Sequence, residues 1–82
     1  MMKRVKIAVA GIYVPTKRRA TLDAAKTKTL ADDIMANGLT IPIQVREDGA
    51  RHVLVEGLHR FEAYRMLGET HIDCYLVQAR KH

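Results

Sequence analysis

His59 and Arg60 follow directly on Gly57-Leu58, inside the stretch Val53-Leu-Val-Glu-Gly-Leu-His-Arg-Phe-Glu-Ala-Tyr-Arg-Met-Leu-Gly68. Residues 53–55 read as a strand, Glu56-Gly57 as a tight corner and residues 58–67 as a helix. Both basic residues therefore fall in the first helical turn. That end of a helix already carries positive partial charge from main-chain N–H groups without partners. A cation placed there costs from a few tenths to about 1 kcal/mol. An anion lying between the two side chains and the backbone donors removes that cost. Gly57, with no Cβ, would let a phosphate approach the main chain. The chemistry these residues suit is anion binding, with a nucleotide phosphate as the expected ligand. The plain alternative is two solvated residues on an ordinary helix.

Other residues enter this chemistry more weakly. Glu56 and Glu62 flank the basic turn, and either could act as a base or hold a Mg2+-bound water beside a phosphate. Lys26 and Thr29 lie three apart and share a face of an earlier helix. The four histidines, at 52, 59, 71 and 82, show no i, i+4 pairing and no adjacent carboxylate pattern, so no metal site is expected. The single cysteine, Cys74, excludes an internal disulfide and any cysteine-based zinc cage. It falls in a strand pattern and is expected to be buried. Tyr13, Tyr64 and Tyr75 are expected to pack rather than to stack on bases.

The chain of 82 residues is long enough for one small domain, residues 1–82, with 48% apolar residues and a net charge of +5. The basic balance favours polyanions such as nucleotides and nucleic acid. Part of it is clustered, above all in Lys17-Arg18-Arg19. No apolar run approaches the roughly 20 residues that span a bilayer, and the N-terminus lacks a signal-peptide core. The expectation is a cytoplasmic protein with no membrane partner.

The elements that must position these residues are legible from periodicity. Residues 5–9 alternate as a half-buried strand, which Gly11 breaks. Ile12-Tyr13-Val14 extends it or forms a second short strand, and Pro15 ends the pairing. Residues 16–21 read as a polar, basic loop. Residues 22–37 read as a helix, with Thr21 or Asp23 as its N-cap and Gly38 as its stop. Its apolar stripe is Leu30, Ala31, Ile34 and Met35. Residues 40–45 and 51–55 form a hairpin around Glu47-Asp-Gly-Ala50. The helix over 58–67 buries Leu58, Phe61, Ala63, Tyr64 and Leu67, and Gly68 stops it. Residues 71–77 form the last strand, with Ile72, Cys74 and Leu76 on one face. Arg80-Lys81-His82 is a basic tail, expected to fray. The order is strand, helix, hairpin, helix, strand.

Four segments in this order resemble the ParB/sulfiredoxin superfamily over residues 7–77. Residues 36–45, Ala-Asn-Gly-Leu-Thr-Ile-Pro-Ile-Gln-Val, look like the helix end and G-L-x-x-P-I-x-V segment of ParB N-terminal domains. Residues 55–64 look like the phosphate-binding box, written G-E-R-R in ParB and G-C-H-R in sulfiredoxin. Residues 66–72 continue it. Residues 22–30 resemble the sulfiredoxin helix that supplies a lysine and a hydroxyl to the nucleotide. The fold this implies is α+β, a small mixed β-sheet packed by two or more helices. The resemblance places Gly57, Leu58, His59 and Arg60 in the phosphate box, with Lys26 and Thr29 as the nucleotide contacts. It also places Arg18 or Arg19 near the basic loop before the helix, without deciding between them.

Two departures matter. Position 58 is leucine where sulfiredoxin needs a thiolate to attack an activated sulfinyl phosphate, so sulfiredoxin activity is not expected. ParB has Glu and Arg where this chain has Leu58 and His59. The implied function is a nucleotide- or phosphate-binding regulatory module associated with DNA, in partition or transcriptional control. ATP, ADP or CTP is the implied cofactor, with Mg2+ as its companion. DNA, a partner protein or a separate DNA-reading domain are the implied partners. The alternative is a Mg2+-dependent enzyme that hydrolyses nucleotides, transfers phosphate or cleaves nucleic acid through Glu56 or Glu62. A third reading is an interaction domain with a degenerate pocket.

Overall fold

The structure, a computed structural model, describes residues 3–38 and 41–77. Among the described residues, five strands and three α-helices follow one another: β1 (Lys3–Ala8), β2 (Ile12–Tyr13), α1 (Thr16–Arg19), α2 (Ala24–Asn37), β3 (Ile43–Asp48), β4 (Arg51–Glu56), α3 (Leu58–Met66) and β5 (His71–Val77). The strands form one mixed sheet in the order β1-β5-β3-β4-β2. β1 is antiparallel to β5 and β3 to β4, whereas β3–β5 and β2–β4 are parallel. The expected class, a small mixed sheet packed by helices, is the one observed.

The period-two pattern puts Ile43, Val45, Leu54, Ile72 and Cys74 on the face that α3 covers with Leu58 and Phe61. Val5, Ile7 and Leu76 pack around the edge of this cluster. Phe61 is its largest fully buried side chain, and its truncation to alanine costs about 3–5 kcal/mol. A second cluster joins the helices: Ala31 and Ile34 of α2 meet Ala63 of α3, with Leu30, Tyr64 and Leu67 around them. α2 therefore reaches the sheet through α3, and whatever fixes α3 also places α2.

Several expected boundaries move, each for a local reason. β1 begins at Lys3 and stops at Ala8, because residues 9–11 turn in a short 3-10 helix whose Val9 N–H donates to Thr70 O. Residues 12–13 are a separate strand at the opposite edge of the sheet. The basic segment 16–21 is not all loop: Arg18 and Arg19 N–H both donate to Pro15 O, which starts the one-turn helix α1. α2 begins at Ala24, two residues later than expected. Asp23 is its N-cap, accepting from Ala25 and Lys26 N–H, while Thr21 instead donates its hydroxyl to Arg18 O.

Of the predicted α2 stripe, Met35 is 72% exposed and belongs to the solvent face. β3 starts at Ile43, after the buried Pro42, and extends through Asp48, so the hairpin turn is only Gly49-Ala50. Thr40 and the tail 80–82 lie outside the described residues. α3 ends at Met66, with Leu67 as its C-cap. Tyr13 does not pack inward as expected: it is exposed, with the Arg51 guanidinium 4.3 Å over its ring.

Candidate functional site

β4 ends at Glu56, and the chain turns into α3 through Gly57, whose φ of +100° is left-handed. This is the N-cap position, and a glycine has no side chain with which to cap. The first-turn residues, Leu58, His59 and Arg60, include no acid, and the first N–H bonded back along the helix is that of Phe61, to Gly57 O at 2.9 Å. The opening of α3 thus presents main-chain donors uncompensated by any side-chain cap. α2 is built the opposite way, with the Asp23 carboxylate closing its N-terminus.

A cavity of about 290 Å³ lies at this opening, lined by Arg18, Thr21, Lys26, Leu30, Glu56, Gly57, Leu58, His59 and Arg60. Three elements deliver its cations: Arg18 from α1, Lys26 from the first turn of α2 and Arg60 from α3. Against these stands one carboxylate, Glu56. The Arg18 guanidinium donates to Val55 O and lies 3.7 Å from Glu56 Oε2, so it is anchored to the end of β4. Arg60 Nη1 donates to Ile41 O at 3.0 Å and to Pro42 O at 3.2 Å. Those bonds hold the guanidinium against the start of β3. His59 Nε2 accepts from Asp23 N–H at 3.0 Å. The arrangement is a shallow basic bowl with a helix N-terminus in it, which suits a phosphate.

The structure sorts the residues expected from sequence. Gly57, His59, Arg60, Lys26 and Glu56 come together, and Arg18 is the member of the basic segment that joins them. Lys17 does not line this cavity. Arg19 turns to a larger hollow of about 520 Å³ beside Val9, Ile12, Phe61 and Arg65. That hollow lies at the C-terminal end of α3, where the helix dipole disfavours an anion. Thr29 does not line the bowl; its hydroxyl donates to Ala25 O at 3.1 Å, one turn back along α2. Glu62 is also elsewhere, paired with Arg65 at 3.0 Å along α3. Leu58 borders the bowl, yet its side chain is only 5% exposed and belongs to the core.

Thr21 also lines the bowl, although its own position in the sequence carries no anion-binding signal. Only its place one turn from Arg18, whose carbonyl accepts its hydroxyl at 2.7 Å, brings it there. Cys74 is fully buried in β5, and burial, with some help from the Asp73 carboxylate, pushes its thiol pKa up to about 11. A group so disposed is a packing residue and not a nucleophile. Among the described residues no cluster of three or more His, Cys, Asp or Glu is placed to hold a metal ion. No described helix is long and apolar enough to cross a membrane.

The chain is 34% identical over 77 residues to the chloroplastic/mitochondrial sulfiredoxin of Arabidopsis thaliana, covering 94% of this chain and 62% of that protein. The chain thus spans less than two thirds of that relative's length. The crystal structure of Arabidopsis sulfiredoxin superposes with a TM-score of 0.83 at 32% identity, over 94% of this chain and 86% of that one. ParB from Caulobacter crescentus, a chromosome-partitioning protein complexed with CTP-gamma-S, shares the fold at a TM-score of 0.82 and 18% identity, over 96% of this chain and 46% of that one. A free serine kinase variant in complex with ADP does so at 0.77 and 14%, over 90% of this chain and 30% of that one. The ParB N-terminal domain family matches across residues 2–82, and the chain with its uncapped, arginine-flanked helix corner belongs to that family.

Proposed function

We propose that this protein binds the phosphates of a nucleotide at the opening of α3, as a ParB-like regulatory module serving a DNA-associated process. One observation carries the reading: an uncapped helix N-terminus faces a cavity that gathers Arg18, Lys26 and Arg60 from three different elements. Concentrating like charges costs energy unless a counter-charge is bound, and a polyphosphate supplies several. The ligands of two fold relatives, CTP-gamma-S in ParB and ADP in the serine kinase, support a nucleotide over a lone phosphate. Partition or transcriptional control in the cytoplasm is the setting that goes with this reading, with base recognition supplied by a DNA-reading domain or a partner protein. Sulfiredoxin-type chemistry is not part of it, because position 58 holds a core leucine and the thiol of Cys74 is buried.

A second reading has a specific observation behind it. Glu56 lines the bowl, and a single carboxylate together with phosphate oxygens is a usual way to hold Mg2+. In that case the protein turns nucleotide over, with Glu56 positioning the ion or accepting a proton.

Calorimetric titration with ATP, ADP and CTP, each with and without Mg2+, tests both readings. Binding without turnover supports the regulatory module, and Mg2+-dependent turnover supports the enzyme. Failure to bind any of the three overturns both.

A further inference from the structure

Asp23 has two separate tasks. Its carboxylate caps α2 by accepting from Ala25 and Lys26 N–H, at 3.0 and 3.2 Å. Its own main-chain N–H donates to His59 Nε2, at 3.0 Å and 36 residues away in sequence. An amide N–H has a hydrogen to give and no lone pair on that nitrogen to receive one, so the direction of this bond is fixed. Nε2 must therefore present its lone pair, and the one hydrogen of a neutral ring sits on Nδ1. This is the minor tautomer of a histidine side chain free in water. The Asp23 carboxylate does not supply the bond, being occupied with the first turn of α2.

We propose that Asp23 is a positioning residue for the anion site: its main chain holds His59 as the Nδ1–H tautomer. His59 then meets a phosphate as a neutral, single hydrogen-bond donor. The positive charge of the bowl comes from Arg18, Lys26 and Arg60. The same residue holds the backbone of Lys26 through its carboxylate, so one N-cap sets both Lys26 and His59 against the opening of α3. The phosphate ligand in this statement rests on the proposed function above; the tautomer is a property of the chain without ligand.

Long-range 1H–15N correlation spectra of the full chain at neutral pH, first without ligand, test the tautomer directly. The expected result is a protonated, pyrrole-like Nδ1 and a pyridine-like Nε2 for His59. A ring in the Nε2–H form, or averaged between forms, overturns the proposal. Hydrogen exchange gives a second measure. His59→Ala should speed exchange of the Asp23 amide by roughly fivefold, the scale of one hydrogen bond. His59→Gln, whose Oε1 can accept where Nε2 did, should restore the protection; equal loss in both variants speaks against the bond. Inorganic phosphate is then titrated into the labelled protein. A shift of the Nδ1 hydrogen with phosphate supports the donor role. A fixed tautomer with no such shift overturns that role while leaving the Asp23 bond standing.

Discussion

Gly57 and Ile43 lie so close that a Cβ on the glycine would sit 2.7 Å from Ile43 Cγ2, at a position where φ is already +100°. The glycine is thus demanded by the core before any ligand is considered. Gly57→Ala should destabilise the protein by about 2–4 kcal/mol, adding the cost of a left-handed residue to that of overpacking. Urea denaturation measures this, and an unchanged midpoint would contradict the close packing of the corner against β3.

Arg60 carries two tasks at once, holding Ile41 and Pro42 carbonyls while lining the bowl. Arg60→Ala should weaken binding of the preferred nucleotide by roughly 10- to 100-fold, the scale of charge-assisted hydrogen bonds. Arg60→Lys should recover little of it, because an ammonium group lacks the fork that spans carbonyls and phosphate together. Full recovery with lysine would show that charge alone matters.

Among the described residues, Glu56 is the one acid lining the bowl, and it neighbours Arg18 at 3.7 Å. Its side chain is 64% exposed, so the pair is worth little. Glu56→Gln should therefore raise nucleotide affinity only modestly, by about two- to fivefold, through loss of a repelling charge. Abolished turnover in this variant would instead identify the enzyme. Glu62→Gln, on a carboxylate paired with Arg65 outside the bowl, should change neither binding nor turnover.

Cys74 provides a pH prediction. The thiol ordinarily ionises near 9, and burial in the core raises this to about 11. Above pH 9 the unfolded chain has released a proton that the folded chain still holds. Stability should therefore fall as pH rises from about 9 to 11, in proportion to the protons held back. Ellman's reagent should react with Cys74 only after unfolding at pH 8; rapid reaction of the folded protein would contradict its burial.

Much of this fold is written locally. The alternation of Ile72, Cys74 and Leu76 and the helical spacing of Leu58, Phe61 and Leu67 reflect periods of two and 3.6, which depend only on backbone geometry. The Glu56-Gly57 corner and the two basic residues at 59 and 60 fall within residues 56–60, so their place at a helix opening could be seen without coordinates. α1 could not. One helical turn is too short for propensity to decide, and this one lies where Arg18 reaches Val55 and Glu56.

The sequence by itself determined the four longer strands, the two long helices and a basic turn after a glycine, because each is a matter of spacing along the chain; that residues 12–13 form a separate edge strand came only from the structure. Only the tertiary structure decided which other side chains reach that turn. Thr29 and Glu62 sit at plausible spacings but are engaged elsewhere, while Arg18 and Thr21 arrive from a segment that reads as loop. Ala31 and Ile34 meeting Ala63 in the core set α2 beside α3. The same packing joins Asp23 to His59, and a hydrogen bond between residues so far apart in the chain leaves no periodic trace in the order of amino acids.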